Sequence, residues 1–291
     1  MDATEIFKKV RKIEIKTRGL STQIFSGQYH SAFKGKGMTF NEVREYQYGD
    51  DVRNIEWNVT ARLNHPYIKV FDEEREMTVM LMIDVSGSNE FGTSDQFKLG
   101  VITEIAAVLA FSAINNNDKV GVIFFSNKIE KFIPPKKGSS HILRIIRELV
   151  DFKAEEKGTN IAEALRYLTN VIKKRSTTFL ISDFYDNNWE QAIKLASKRH
   201  DLIALNIYDD REHELPNMGI VKVRNAETGK VMQVDSSSKA VRDKYKSWSH
   251  MKLMEVDEIF RKNGIDNARI QTGQDYVRPL INLFRRREHK L

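Results

Sequence analysis

The chain has 291 residues, of which 41% are hydrophobic and 30% charged, a composition typical of a soluble globular protein. It contains no cysteine, which excludes disulfides, thiolate zinc sites and cysteine nucleophiles. The formal net charge of +7 is concentrated near the C-terminus, where Arg285, Arg286, Arg287 and Lys290 form a basic cluster. We interpret this cluster as a solvated tail, with an acidic partner, a membrane surface and nucleic acid as the alternatives.

The sequence gives no sign of a secretory signal. The first 19 residues alternate charged and apolar side chains without a continuous apolar core. No run approaches the roughly 20 apolar residues that a membrane helix needs. We therefore predict a cytoplasmic protein without a transmembrane segment.

Strand and helix patterns alternate along most of the chain. Residues 26–75, rich in glycine and aromatics, predict a small β-rich subdomain. Apolar runs that favour parallel strands follow at 77–83, 120–125, 178–181 and 202–208, and helical periodicity is found at 97–114, 142–150, 161–172 and 189–196. Residues 128–134 come too soon after the second run for a crossover, so we predict an antiparallel edge strand ended by Pro134 and Pro135.

The C-terminal part has a different pattern. A hairpin at 220–224 and 230–234, a long helix at 239–262, a strand at 268–272 and a helix at 276–284 are predicted. The fold class is therefore α/β, a doubly wound, mostly parallel sheet with additions at both ends. The expected domains are an N-terminal β-rich region at 1–76, a core at 77–210, and a C-terminal extension at 211–291.

Oxygen-bearing side chains follow the first core strand in the pattern Asp84-Val-Ser86-Gly-Ser88. Three such groups within five residues of a buried strand suit a hard divalent cation. The candidates for further ligands are Thr159 and Asp183, because the carboxyl ends of parallel strands meet at one edge of the sheet. Taken singly, the same residues are also ordinary turn formers, helix-entry residues and strand-end acids.

Together these five residues resemble the metal-ion-dependent adhesion site (MIDAS) of von Willebrand factor A-type (vWA) domains. The resemblance implies that Ser86, Ser88 and Thr159 bind Mg²⁺, or alternatively Mn²⁺, directly. It implies that Asp84 and Asp183 act mainly through water. An open coordination position would then accept a carboxylate from a partner protein.

A second resemblance covers nearly the whole chain. The segments at 27–37, 43–46, 49–57, 60–62 and 66–76 resemble the bacterial family of domain of unknown function fifty-eight (DUF58). That resemblance implies a vWA domain associated with MoxR-type AAA+ ATPases and an adaptor, assembly or chaperone-like role. Asn89 stands where the family often has methionine, a change at the rim that a partner would meet.

Charged residues cluster around Asp50 and Asp51. Arg44, Arg53 and Arg62 lie near them in the sequence and Trp57 follows. We expect an ionic network packed under Trp57, with a structural role favoured over catalysis.

Enzymatic patterns are absent from the sequence. It has no nucleotide-binding glycine motif, no hydrolase Gly-x-Ser-x-Gly, and no histidine pair at ligand spacing. The enzyme alternative is Mg²⁺-dependent phosphotransfer with Asp84 as nucleophile, which requires a second acid and a lysine close by. The binding alternative is nucleic acid, but the C-terminal basic residues lack interleaved aromatics, so we expect no specific binding. We predict a non-enzymatic interaction module.

Overall fold

The structure is a computed structural model that describes residues 8, 10–14, 16–17, 39–72, 77–90, 98–156, 158–224 and 231–288. The chain divides into two compact units, one of residues 34–77 and one of residues 1–33 and 78–291. This division differs from the expected 1–76 region. Within the expected N-terminal region, the described residues 10–14 and 16–17 are helical and belong to the larger unit. There Lys16 Nζ lies 2.5 Å from Glu104 Oε2.

The smaller unit is built on an antiparallel pair, β1 (Thr39–Glu45) and β2 (Tyr67–Asp72). A short 3-10 helix, Val52–Asn54, and helix α1, Trp57–Leu63, connect the two strands. The connection is held to β2 by the backbone N–H of Glu56, which donates to the carbonyl of Tyr67 at 2.8 Å.

The larger unit contains a six-stranded sheet in the order β10-β7-β6-β3-β4-β5, in which only β5 is antiparallel. Its strands are β3 (Thr78–Asp84), β4 (Lys119–Phe125), β5 (Ile129–Lys136), β6 (Thr177–Ser182), β7 (Asp201–Tyr208) and β10 (Asp266–Gln271). The central strands are apolar along nearly their whole length because helices cover both faces of the sheet. The predicted doubly wound, mostly parallel α/β fold is confirmed.

Besides the helical residues 10–14 and 16–17, six helices and a hairpin in the described part of the chain complete the larger unit. The helices are α2 (Lys98–Asn115), α3 (Ser139–Val150), α4 (Ile161–Val171), α5 (Glu190–Arg199), α6 (Lys239–Lys262) and α7 (Val277–Glu288); the hairpin is β8 (Ile220–Arg224) with β9 (Val231–Asp235). Alternate side chains of β3 point to opposite faces of the sheet. Met80 and Met82 belong to the hydrophobic core that includes residues of α4 and α5. Phe284 of α7 packs edge-on against Phe179 of β6, with ring centroids 6.5 Å apart.

The predicted end of the antiparallel strand is wrong. Pro134 and Pro135 lie inside β5, which continues to Lys136. Proline has no N–H to donate, but an edge strand needs pairing on one side only, so it tolerates proline there.

Helix α2 is long and apolar enough to cross a membrane by length and composition, contrary to the prediction that no segment would qualify. In the fold 72% of this helix is buried, as expected of the core helix of a doubly wound sheet.

Candidate metal site at the carboxyl edge of the sheet

Asp84 is the last residue of β3 and its side chain is fully buried. Its Oδ1 accepts a hydrogen bond from the backbone N–H of Ser86 at 2.9 Å. Its Oδ2 accepts one from the Ser182 hydroxyl, at the end of neighbouring β6, at 2.6 Å. The carboxylate is thereby fixed at the strand end where the sheet order reverses direction, the usual position for a ligand in this type of sheet.

The two predicted serines lie beside Asp84. Ser86 is buried, and a 3-10 helix, Gly87–Glu90, turns the chain so that Ser88 comes back towards it. The two hydroxyl oxygens are 3.0 Å apart. The local sequence thus brings three of the five predicted residues together.

Asp183 follows β6 directly and is buried as well. Burial, and after it the negative charge of Asp183, raises the pKa of Asp84 to about 7, against the opposing effect of the hydrogen bonds from Ser182 and Ser86. The effect of Asp183 on Asp84 shows that the two carboxyl groups share one electrostatic environment. A cation placed between them would lower the pKa of Asp84.

Thr159 is held at the same edge through its neighbours. The N–H of Asn160 donates to the carbonyl of Ser126, which follows β4, at 2.9 Å. The N–H of Ile161 donates to Asp186 Oδ2, in the loop after Asp183, at 2.8 Å. Within the described residues the buried hydroxyl oxygen of Thr159 has no hydrogen-bond partner.

Two charged residues that sequence reasoning missed complete the site. The side chain of Lys98, at the start of α2, is fully buried; its Nζ donates to Asp183 Oδ2 at 3.2 Å and forms an ion pair with Glu212 Oε1. Burial alone would lower the pKa of Lys98, but Asp183 and Glu212 outweigh it, so the pKa is raised. Burial raises the pKa of Glu212, against the opposing effect of Lys98. The Asp209-x-x-Glu212 capping pattern was the one local signal for the acid.

An aromatic group lies next to Asp183. Tyr185 stacks on Trp248 of α6 with ring centroids 6.2 Å apart, and Tyr245 packs against the same tryptophan at 5.7 Å. The hydroxyl of Tyr245 donates to the carbonyl of Glu212 at 2.9 Å, which ties α6 to the site. Trp248 remains 44% exposed, so this side of the site presents aromatic surface to solvent.

The donors fit a hard divalent cation by their chemistry. They are carboxylate and hydroxyl oxygens, and the orphaned Thr159 hydroxyl is a buried polar group that such an ion would satisfy. Among the described residues no group of three or more His, Asp, Glu or Cys is arranged to hold a metal ion. The site is therefore rich in hydroxyls rather than a carboxylate cluster.

Asp50 and Asp51 lie in two separate ion pairs and not in one network. Arg44 donates to both carboxylate oxygens of Asp50, at 2.9 and 2.8 Å. Arg53 binds Asp51 and holds the pKa of that carboxyl down at about 2. Trp57 is 68% exposed, so the expected packing over these pairs is wrong. Arg62, which we expected in the network, is exposed.

Solved structures that share the fold include two from Bacteroides species. BatB from Bacteroides thetaiotaomicron matches with a TM-score of 0.50 and 17% identity, covering 73% of this chain and 99% of that one. An aerotolerance-related membrane protein from Bacteroides fragilis matches with a TM-score of 0.51 and 17% identity, covering 74% and 100%. At this identity the likeness concerns the fold.

The predicted cytoplasmic location is overturned. The Bacteroides fragilis chain is described as a membrane protein, and α2 passes the length and composition test for a membrane span. We withdraw the cytoplasmic assignment.

The sequence relatives cover almost the full chain. The uncharacterized proteins Rv1480 of Mycobacterium tuberculosis and Mb1516 of Mycobacterium bovis are each 27% identical over 285 residues, 97% of this chain and 89% of theirs. Residues 42–252 match the family described as protein of unknown function DUF58. That match includes both carboxylates and all three hydroxyls of the candidate site, and the chain belongs to the DUF58 family.

Proposed function

We propose that the protein is a non-enzymatic, metal-dependent interaction module. In this proposal Asp84, Ser86, Ser88, Thr159 and Asp183 hold Mg²⁺, or Mn²⁺ in its place. The observation that carries the proposal is the buried Thr159 hydroxyl, which has no hydrogen-bond partner among the described residues and lies at the same sheet edge as Asp84. When bound, the ion supplies a positive centre that attracts an acidic side chain.

The surface beside the site supports association with a protein. Trp248, Met251 and Met254 are exposed on α6, the helix that contacts Tyr185 and Glu212. Aromatic residues and methionine are enriched at protein interfaces. The partner would place an acidic residue on the metal and apolar side chains on this helix.

The partner that we propose is a MoxR-type AAA+ ATPase or its client protein. This proposal is carried by the family resemblance in the sequence. The site adds a chemical requirement, which is an accessible Asp or Glu on the partner's surface.

Titration of the purified ATPase with the full chain tests the proposal. We expect binding in Mg²⁺ and loss of binding in chelator or with Asp84→Asn. Asp118→Asn is the matched control, because Asp118 is also buried but precedes β4, at the opposite edge of the sheet. Equal binding by wild type and Asp84→Asn, with and without Mg²⁺, would show that the metal site is not the contact.

A second candidate, phosphoryl transfer to Asp84, is favoured by one observation. The structure supplies the nearby acid, Asp183, and the lysine, Lys98, that this reaction requires. Against it, Asp84 is fully buried and both its oxygens accept hydrogen bonds. Incubation with Mg²⁺ and acetyl phosphate separates the two functions, since an acyl phosphate on Asp84, detected by mass spectrometry, would support transfer.

A further inference from the structure

Lys98 is a cation enclosed within the candidate site. Its side chain has no exposed surface, whereas lysine almost always keeps its ammonium group in water. A buried ammonium is stable only beside carboxylates that compensate for its lost hydration. Asp183 and Glu212 supply that compensation.

The charges around Lys98 are unequal. The site holds the carboxyl groups of Asp84, Asp183 and Glu212 against this one ammonium group. Such a cluster attracts further positive charge. One of its proposed metal ligands, Asp183, is however already bound by Lys98.

Glu212 offers the ammonium a second, well-fixed acceptor. Its Oε2 accepts the backbone N–H of Asp209 at 3.1 Å in a capping box, while its Oε1 pairs with Lys98. The Tyr245 hydroxyl holds the Glu212 backbone. Glu212 is outside the set of five proposed ligands, so it can keep Lys98 while Asp183 is engaged elsewhere.

We propose that Lys98 is an internal counter-ion that competes with the divalent cation for Asp183 and moves fully to Glu212 when the cation binds. This inference rests on the proposed metal site. Its consequence is that Lys98 sets the affinity for metal: the site is held together without an ion, and metal binds only by displacing the ammonium.

Mg²⁺ titrations of the full chain by calorimetry and thermal unfolding test the exchange. Lys98→Met removes the competitor, so we expect Mg²⁺ to bind about tenfold more tightly or better, the effect of one nearby charge. The same variant should melt at a lower temperature in chelator, because Asp183 and Glu212 then lose the ammonium group that pairs with them. Glu212→Gln should weaken Mg²⁺ binding by about tenfold, because Lys98 is left with Asp183 alone.

The control is Lys131→Met, which removes a lysine paired with Glu148 at 2.5 Å in β5 and should leave Mg²⁺ affinity unchanged. If wild type binds Mg²⁺ and Lys98→Met binds it no more tightly, the exchange is refuted, whereas the proposed metal site is not. No Mg²⁺ binding by either protein would overturn both. If Lys98→Met does not fold, Glu212→Gln decides, and unchanged or tighter binding by that variant refutes the exchange.

Discussion

Ser182 donates a hydrogen bond to Asp84 across 2.6 Å, and this contact joins the ends of β6 and β3. Both side chains are fully buried. The Ser182 hydroxyl also accepts the N–H of Phe184 at 3.0 Å, so one side chain orders both the carboxylate and the loop that carries Asp183. Residues that bind no ligand themselves can position those that do.

Ser182→Ala should therefore destabilise the protein. The buried carboxylate loses a donor, and a hydrogen bond to a charged group contributes about 1.5–3 kcal/mol. We expect that loss in the free energy of unfolding measured with urea at about pH 8, which is above the pKa of Asp84. The dependence of this free energy on urea concentration should not change.

Ser237→Ala is the control for Ser182→Ala. Its hydroxyl donates to Asp235 on the exposed surface, where substitutions change stability by about 0.5 kcal/mol or less. Equal stability of the two variants would mean that the Ser182 bond contributes nothing.

Gly121 in β4 is expected to tolerate no side chain. A Cβ there would lie 2.8 Å from Met80 Sδ, 2.9 Å from the nitrogen of Pro135 and 3.0 Å from the carbonyl oxygen of Ile133. Because two of these atoms are backbone of β5, Gly121→Ala should cost about 1–3 kcal/mol in thermal unfolding.

Gly100 in α2 provides the opposite case. A Cβ there meets no atom of the described residues within 4 Å, so Gly100→Ala should stabilise the helix by about 0.5–1 kcal/mol. The packing argument fails if Gly121→Ala is as stable as Gly100→Ala.

The strands and the core of the site could be predicted because they depend on local pattern. Continuous apolar runs identify buried parallel strands, and the carboxyl-end rule then places Asp84 and Asp183 at one edge. Lys98 could not be found in this way. Its partner Asp183 lies 85 residues further along the chain, and a lysine opening a helix usually faces solvent.

Packing decided the other differences between prediction and structure. Proline normally ends a strand, but Pro134 and Pro135 lie where β5 forms the edge of the sheet, and edge position is a property of the whole topology. Trp57 was expected to pack over the charged residues around Asp50 and Asp51, yet it is 68% exposed.

His200 should make stability depend on pH. It is buried, its Nδ1 lies 3.0 Å from the Ser176 hydroxyl, and burial, with the charges of Arg199 and Arg175, lowers its pKa to about 4. At a pH between about 4 and 6.5, the ordinary pKa of histidine, the unfolded chain binds a proton at His200 that the folded protein does not bind. This contribution to the free energy of unfolding is therefore complete above pH 6.5. It is lost as the pH falls towards 4, by at most about 3 kcal/mol.

His200→Gln should flatten that pH dependence, because glutamine does not titrate. Denaturant unfolding across this pH range measures the slope, and His250→Gln, at an exposed position on α6, should retain the wild-type slope. An unchanged slope in His200→Gln would assign the acid sensitivity to other groups.

The C-terminal basic cluster is partly used within the fold. Arg287 Nη1 donates to Asp266 at 2.7 Å and Nη2 donates to Asp201 at 2.5 Å, while Arg286 donates to the carbonyl of Asn267 at 2.8 Å. Lys290 lies outside the described residues. The interpretation of the cluster as a solvated tail is therefore wrong for Arg287, which is buried.

Arg287→Met should destabilise the protein strongly. The arginine links the first residues of β7 and β10, and its loss leaves two neighbouring carboxylates without their cation. Removing one partner of a buried ion pair costs about 3–5 kcal/mol, and since Asp201 and Asp266 keep some exposure we expect about 3 kcal/mol in urea unfolding. Arg285→Met, two residues away on the exposed side of α7, should change stability by less than about 0.5 kcal/mol.

Because Arg287, Asp201 and Asp266 lie at the opposite edge of the sheet from Asp84, Mg²⁺ affinity should be equal in both variants. A comparable loss of stability in both would show that the helix tolerates no substitution there, and the ion-pair argument would fall.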